Sequence, residues 1–203
     1  MIEAGVAQFL DQFFYGKLDA NVTRWNDKQH QFAGIDVTVN GVDFDEKVKV
    51  RGCLNSVYGY PSFEVSLLNK KNCIQDGWFT QNLSTDYYAY IGVYSYGNDE
   101  NAISASNTIS ACDVLWVKKQ DVVDMVEQQM TMQQLKADAE ELREDDFMPM
   151  QKRRKTYPHR TFWLTYSHSL QEKPVNLVVP RSTLEQLPHT KHLIVTKEKI
   201  VRI

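Results

Sequence analysis

The chain is poor in cysteine, since only Cys53, Cys73 and Cys112 occur among its 203 residues. Three is an odd number and the spacing does not suit a metal site, so a reduced, cytoplasmic compartment is the simplest expectation. No run of about 18 apolar residues is present, so no membrane-spanning helix is expected. The first residues carry Glu3 and no basic cluster ahead of the apolar positions, which argues against a secretory signal.

Several catalytic and cofactor motifs are also missing. Neither GxxxxGK[ST] nor GxGxxG occurs, so no nucleotide cofactor is expected. None of the five histidines belongs to an HExxH or Cys/His zinc pattern, and we predict that each is solvated or packed. No serine lies in a nucleophile-elbow context. These absences weigh against zinc hydrolases, serine hydrolases and nucleotide-binding enzymes.

The composition is that of a globular protein, with 42% hydrophobic and 24% charged residues. The net charge of −3 is unevenly distributed: residues 1–120 carry −4, residues 121–146 carry −7 and residues 147–203 carry +8. The basic C-terminal part is therefore a candidate surface for a polyanion. The alternative is that it packs near the acidic segment, and the sequence favours neither.

Apolar periodicity predicts a mixed α/β protein. A helix is predicted over 2–18 and another over 120–144. Ser182 is predicted to open a short helix over 183–187. Alternating or β-rich segments predict strands. The predicted strands are 35–39, 42–50, 62–68, 86–96, 113–117, 161–167, 175–179, 192–196 and 199–203.

The segment GIDVTVNGVDFDEKVKV predicts a hairpin with a charged outer face. Asn40-Gly41 fixes a two-residue turn, so Asp36 lies opposite Asp45, with their Cα atoms about 4.5 Å apart. Because side chains repeat with period 2, Lys47 lies on the same face. Glu46 points to the apolar side, where we expect it at the sheet margin or paired with a cation.

Two aspartates directly opposite each other destabilise a sheet unless something offsets their charge. A divalent cation does so, because carboxylates and water make the oxygen-rich shell that Mg²⁺ prefers. Such an ion activates water and stabilises charge on a phosphate, and Lys47 would assist. The plain alternative is an ordinary hairpin with one solvated face.

The chain has Asp36, then eight intervening residues, and then Asp45-Glu46-Lys47. This pattern resembles the signature of PD-(D/E)xK nucleases, the restriction-endonuclease-like superfamily. The preceding helix and the alternating segment 62–68 fit the order of elements in that core. The chain is also similar to small uncharacterised nuclease-like proteins of bacteria and their mobile elements. The resemblance covers roughly residues 1–95. Ile35 stands where the family usually has proline, and no clear second core helix follows the third strand.

The resemblance implies a restriction-endonuclease-like core, with a mixed β-sheet flanked by helices and a C-terminal αβ extension. We expect residues 1–118 to form the core, 119–148 an acidic helix, and 149–203 a basic β-α-β extension packed on the core as one domain.

The resemblance also assigns roles to individual residues. Asp36 and Asp45 would bind Mg²⁺ or Mn²⁺, with Glu3, preferred over Asp11, as the helix acid. Lys47 would be catalytic, and Glu64 on the third strand would be an additional acid at the site.

The resemblance makes a metal-dependent nuclease that hydrolyses DNA phosphodiesters the first hypothesis. The basic cluster Lys152, Arg153, Arg154 and Lys155 would contact DNA phosphates, with a solvated linker as the alternative. The second hypothesis is a catalytically silent protein of the same fold that binds nucleic acid or a protein. The third is a structural or interaction protein. A homodimer is left open.

Overall fold

The computed structural model describes residues 2–49, 61–81, 83–95, 106–144 and 153–203. Its helices are α1 (Ile2–Phe13), α2 (Lys28–Phe32), α3 (Lys119–Glu127), α4 (Met132–Glu144) and α5 (Arg181–Leu184), with 3-10 turns at Tyr15–Lys17 and Ser106–Thr108. Its strands are β1 (Val22–Arg24), β2 (Val37–Val39), β3 (Val42–Lys49), β4 (Ser62–Leu68), β5 (Ile74–Asp76), β6 (Tyr87–Ser95), β7 (Ile109–Lys118), β8 (Arg154–Thr156), β9 (Trp163–Tyr166), β10 (Val175–Val178), β11 (Lys191–Thr196) and β12 (Ile200–Arg202). The protein therefore belongs to the mixed α+β class.

Residues 1–59, 84–119 and 187–203 form one compact unit. Its described strands make a sheet in the order β1-β2-β3-β6-β7-β11-β12. β3 and β6 run parallel, whereas the other neighbours in this sheet run antiparallel. The expectation of a mixed sheet with helices is confirmed.

One face of this sheet packs against α1. Val6, Phe9 and Leu10 follow the spacing of one helix face, and all three are fully buried. They belong to the same apolar cluster as side chains from five strands of the sheet, among them Val37, Phe44, Ala89, Ile91, Val114 and Val195. Each large side chain buried in this way stabilises the fold by about 1.5–3 kcal/mol. The apolar spacing that predicted α1 is therefore also what attaches α1 to the sheet.

The hairpin forms in the expected register. Asn40 and Gly41 have φ angles of 51° and 80°, the left-handed values that a type I′ turn requires. The Cα partners are Val39 with Val42, Thr38 with Asp43, and Val37 with Phe44.

Residues 60–83 and 120–186 form a second compact unit. Its described strands make an antiparallel sheet in the order β5-β4-β10-β9-β8. Helix α4 packs on this sheet, with Leu135, Ala139 and Leu142 buried.

Strand β4 differs from the expectation. Residues 62–68 were expected beside the hairpin, yet β4 pairs with β10 and β5, and the strand beside β3 is β6. Alternate burial at Phe63 and Val65 identifies a strand with one buried face. The same pattern suits either sheet, so it cannot specify which sheet the strand joins.

The acidic segment forms two helices where one was expected. α3 ends at Glu127 and α4 begins at Met132. The Thr131 hydroxyl accepts the backbone N–H of Gln134 at 3.1 Å, which caps the new helix. Thr followed three residues later by Gln is a helix-start signal.

The two units do not follow the expected segments 1–118, 119–148 and 149–203. β11 pairs with β7, so the last strands of the chain join the first unit. Segment 60–83 belongs to the second unit because β4 pairs with β10. Pairing between strands far apart in sequence therefore decides the division. Pro149 and the charge reversal around it lie outside the described residues.

Glu46 is paired with a cation, as expected. Its side chain is 8% exposed, and one carboxylate oxygen accepts Nη1–H of Arg24 at 2.7 Å. The other oxygen accepts the Tyr15 hydroxyl at 2.7 Å. Arg24 also donates Nε–H to Asp11 of α1 at 2.8 Å. Although burial works against its charge, the hydrogen bonds that Arg24 donates to Glu46 and Asp11 raise the pKa of Arg24. This network ties α1, β1 and β3 together.

We expect Arg24→Met to destabilise the protein by about 2–4 kcal/mol, because it leaves the buried Glu46 carboxylate without its cation. Asp11→Asn is the matched control. Since the Asp11 side chain is 44% exposed, its loss should cost less than about 1 kcal/mol. Urea unfolding measures both. Equal losses in the two variants would contradict the role given to Glu46.

Candidate functional site

Asp45 and Lys47 lie on the face of the first sheet opposite α1. Phe44 and Val48 on β3 pack with the α1 cluster, so the alternate side chains point the other way. The Lys47 Nζ lies 2.7 Å from Asp45 Oδ2, and the Asp45 side chain is 6% exposed. A nearly buried carboxylate and an ammonium group therefore form an ion pair on this face.

Asp36 reaches Asp45 through its side chain. The regular ladder ends at Val37 with Phe44, and the Asp36 N–H donates to the Phe44 carbonyl at 2.9 Å. Asp36 Oδ2 accepts the N–H of Glu46 at 2.7 Å. The Asp36 carboxyl is also close enough to raise the pKa of Asp45, through its charge and through a hydrogen bond that favours the protonated form. The expected pair is thus brought together, although by side-chain contacts and without the regular 36:45 ladder pair.

The charge of Asp45 is only partly offset. The pKa of Asp45 is raised to about 6, chiefly by burial and also by Asp36, against the lowering effect of Lys47. The ionised pair of carboxylates therefore holds unfavourable charge at neutral pH. A bound proton or a cation would relieve it.

Two tyrosines from β6 line the same face. Tyr88 pairs with Asp45 and Tyr90 with Lys47 in the parallel register. Burial raises the pKa of both phenols, and the charge of Asp45 adds to the effect. Both tyrosines therefore stay neutral and make a low-dielectric surround, in which charge interactions are stronger than in water.

The pair of aspartates has the donor chemistry of a magnesium site. Mg²⁺ keeps several waters and is usually held by one or two carboxylates plus substrate phosphates. Within the described stretches, no group of three or more His, Cys, Asp or Glu side chains is placed to hold a metal. Asp36 and Asp45 would therefore hold a largely hydrated Mg²⁺ or Mn²⁺, and binding without a phosphate substrate would be weak.

The other expected acids lie elsewhere or are not described. Glu64 is on β4, in the sheet of the second unit, and its carbonyl accepts the N–H of Phe79 at 3.0 Å. Asp11 pairs with Arg24, on the α1 side of the first sheet. Glu3 lies in the first turn of α1, and its side chain is outside the described residues.

The basic cluster contacts the acidic helix within the second unit. Lys155 Nζ lies 2.7 Å from Glu141 and 3.0 Å from Asp138, both on α4. Arg153 is buried and donates to the carbonyl of Arg143. These contacts favour the alternative in which basic and acidic segments pack together.

Arg154 and Lys152 complete the cluster. Arg154 is exposed, with its guanidinium 4.2 Å from the centre of the Trp163 ring. Lys152 lies outside the described residues. Contact of the cluster with DNA stays a prediction.

A group on the Asp36 side of the hairpin was not predicted. The Trp25 indole donates Nε1–H to the Thr38 hydroxyl at 2.8 Å, and Thr38 donates to Asp43 at 2.6 Å. The His30 ring stacks on the Trp25 indole, with the ring centroids 3.8 Å apart and an angle of 7° between the ring planes. His30 Nδ1 lies 2.6 Å from Asp27 Oδ2. The sequence signal for this group was Asp27, which caps α2. That helix is too short to be recognised from apolar periodicity.

Comparisons of the chain with protein-family models, with curated proteins and with solved structures found no match. In the part of the chain that the structure describes, no helix has the length and apolar character needed to cross a membrane.

Without metal at pH 7.5, we expect Asp45→Asn to stabilise the protein by about 1–3 kcal/mol. The folded pKa of about 6 exceeds the unfolded value, which is near 3.9, so ionisation opposes folding. This cost is absent below about pH 4, builds up to about pH 6 and is constant above it. The gain should therefore fall to about half at pH 5.

Urea unfolding in EDTA at the two pH values measures this effect. Asp124→Asn removes an exposed carboxylate on α3 and should change stability by less than about 0.5 kcal/mol at either pH. If Asp45→Asn were less stable than the parent at pH 7.5, the ion pair with Lys47 would outweigh burial.

Proposed function

We propose that this protein is a metal-dependent nuclease that hydrolyses DNA phosphodiester bonds, of the PD-(D/E)xK type. The observation that carries the proposal is the set of neighbouring Asp36 and Asp45 carboxyl groups, with the Lys47 Nζ 2.7 Å from Asp45. These three side chains are the ones that match the sequence signature of that superfamily.

The geometry supports a division of roles among the three. Asp36 and Asp45 would hold Mg²⁺ or Mn²⁺, which when bound supplies a Lewis acid for the phosphate and lowers the pKa of water. Asp36 is oriented by the N–H of Glu46, so its carboxylate is positioned before any ligand arrives. The Lys47 ammonium lies beside Asp45, where it would stabilise negative charge developing on the phosphate.

The raised pKa of Asp45 favours a functional pair over a merely solvated one. A carboxylate whose only role is to solvate one face of a sheet gains nothing from burial, yet the Asp45 side chain is only 6% exposed. Free energy lost in burying that charge is recovered if a divalent ion binds there.

The second candidate is a catalytically silent protein of the same fold that binds nucleic acid or a protein. It is favoured by the absence, within the described ranges, of a third acidic ligand near the pair. Weak metal binding without turnover would distinguish it from the nuclease.

The decisive test is cleavage of plasmid and oligonucleotide DNA in Mg²⁺, Mn²⁺ or EDTA. We expect cutting with either metal and none in EDTA. Asp45→Asn should lose the metal site and its activity. Lys47→Met should lower cleavage about 10²–10³-fold, because it removes one preorganised charge at the phosphate, while Mn²⁺ binding persists.

Lys71→Met is the matched control, since it removes an equal charge from an exposed turn. It should cleave at the parental rate. Cleavage that is unchanged in both Asp45→Asn and Lys47→Met would overturn the proposed site. Failure of the parent protein to cut DNA with either metal would overturn the nuclease proposal and favour the silent alternative.

A further inference from the structure

We propose that His30 is the general acid of this site and protonates the leaving oxygen of the cleaved phosphodiester. The inference rests on the proposed nuclease function and adds a catalytic residue that the sequence signature does not contain.

Strand register places Trp25 beside Asp36. β1 pairs with β2 so that Thr23 lies opposite Thr38 and Arg24 opposite Val37. The next pair in this register is Trp25 with Asp36, and the Trp25 N–H donates to the Asp36 carbonyl at 2.9 Å. Because Arg24 points to the α1 side, Trp25 points to the face that carries the carboxylates.

His30 is attached to the same place by two independent contacts. Its imidazole stacks on the Trp25 indole with a centroid distance of 3.8 Å. Its carbonyl accepts the N–H of Ile35 at 2.9 Å, one residue before Asp36. The imidazole therefore stacks on the side chain of the residue whose backbone pairs with Asp36, and we place it on the face where a phosphate held at Asp36 and Asp45 would lie.

Asp27 orients the imidazole of His30 through its Nδ1 atom. Its Oδ2 lies 2.6 Å from Nδ1, and its Oδ1 accepts the backbone N–H of His30 at 3.0 Å. The backbone N–H and then the ring of His30 lower the pKa of Asp27, so it stays ionised. A carboxylate at Nδ1 orients an imidazole and stabilises its protonated form.

The second ring nitrogen faces outward from this contact. Among the described residues, no hydrogen-bond partner is recorded for His30 Nε2, and the side chain is 28% exposed. Nε2 is therefore the nitrogen that a substrate oxygen can reach.

In the proposed step, a water oxygen bonds to phosphorus as the bond from phosphorus to the leaving oxygen breaks. The electron pair stays on the leaving oxygen, which takes the proton from Nε2 of the His30 imidazolium. The water releases one proton to solvent, and solvent returns one to His30 before the next turnover. The products are a phosphomonoester and an alcohol.

A purely structural role for His30 is the competing explanation, because Asp27 also caps α2. The variants must therefore keep the cap. His30→Gln retains the backbone N–H that Asp27 accepts. Asp27→Asn retains a capping side chain but removes the charge that supports the imidazolium. Circular dichroism and thermal unfolding of both variants check that each is folded.

The test compares two matched oligonucleotides in Mn²⁺. One has oxygen at the leaving position and the other has sulfur, at the bridging position that product analysis of the parent identifies. A thiol has a pKa near 8.5 and leaves as the thiolate without a proton, whereas an alkoxide needs one. We expect His30→Gln to cleave the oxygen substrate about 10²–10³-fold more slowly and the sulfur substrate within about fivefold of the parent.

Two further variants sharpen the comparison. Asp27→Asn should show the same pattern in weaker form, since Asp27 acts through His30. Lys47→Met should slow both substrates equally, because its charge acts on the phosphate and not on the leaving atom.

Each of the other outcomes contradicts either the role of His30 or the nuclease proposal. If the parent cleaves both substrates and His30→Gln slows them equally or not at all, the general-acid role is wrong and the nuclease proposal stands. If the parent cleaves neither substrate, the nuclease proposal fails and this inference fails with it.

Discussion

A carboxylate whose side chain is 6% exposed and which lies beside another carboxylate lowers stability unless positive charge offsets it. Asp45 is in that situation, because Lys47 leaves its pKa raised to about 6. Glu46, the next residue, points to the other face of β3 and is paired with Arg24, whose pKa the pairing raises. Two successive acidic residues on β3 therefore lie in different electrostatic environments. Glu46 has the Arg24 cation beside it, whereas the charge of Asp45 is only partly offset by Lys47.

The hairpin could be predicted because its information is local. Asn40-Gly41 admits the φ angles of a type I′ turn, and that turn alone sets the pairing of the residues beside it. The departure at Asp36 was not local. Its N–H and carboxylate bond to Phe44 and Glu46 in a way that alternation does not encode. For the same reason, residues 62–68 could be predicted to form a strand, but the sheet that this strand joins could not be predicted.

The surroundings of the candidate site could not be predicted from periodicity. β1 has three residues and α2 has five, which are too few for a periodic apolar pattern to be recognised. Trp25 is positioned by its contacts with Asp36 and Thr38, and His30 by stacking on Trp25. The basic stretch shows the converse: its charge was evident, but whether Lys155 meets a phosphate or Glu141 depends on tertiary packing.

β1 connects the two faces of the first sheet at the hairpin. Arg24, its last residue, points to the α1 side and holds Glu46, while the following Trp25 points to the opposite side and contacts Thr38. Because the Trp25 N–H also bonds to the Asp36 carbonyl, the backbone that bears one metal-ligand candidate is fixed from both sides. A site that must hold two repelling carboxylates needs a backbone that cannot move apart to relieve them. The ion-pair network on the buried face holds β1 and β3 to α1, and the burial of Asp45 on the opposite face is then what chiefly raises its pKa.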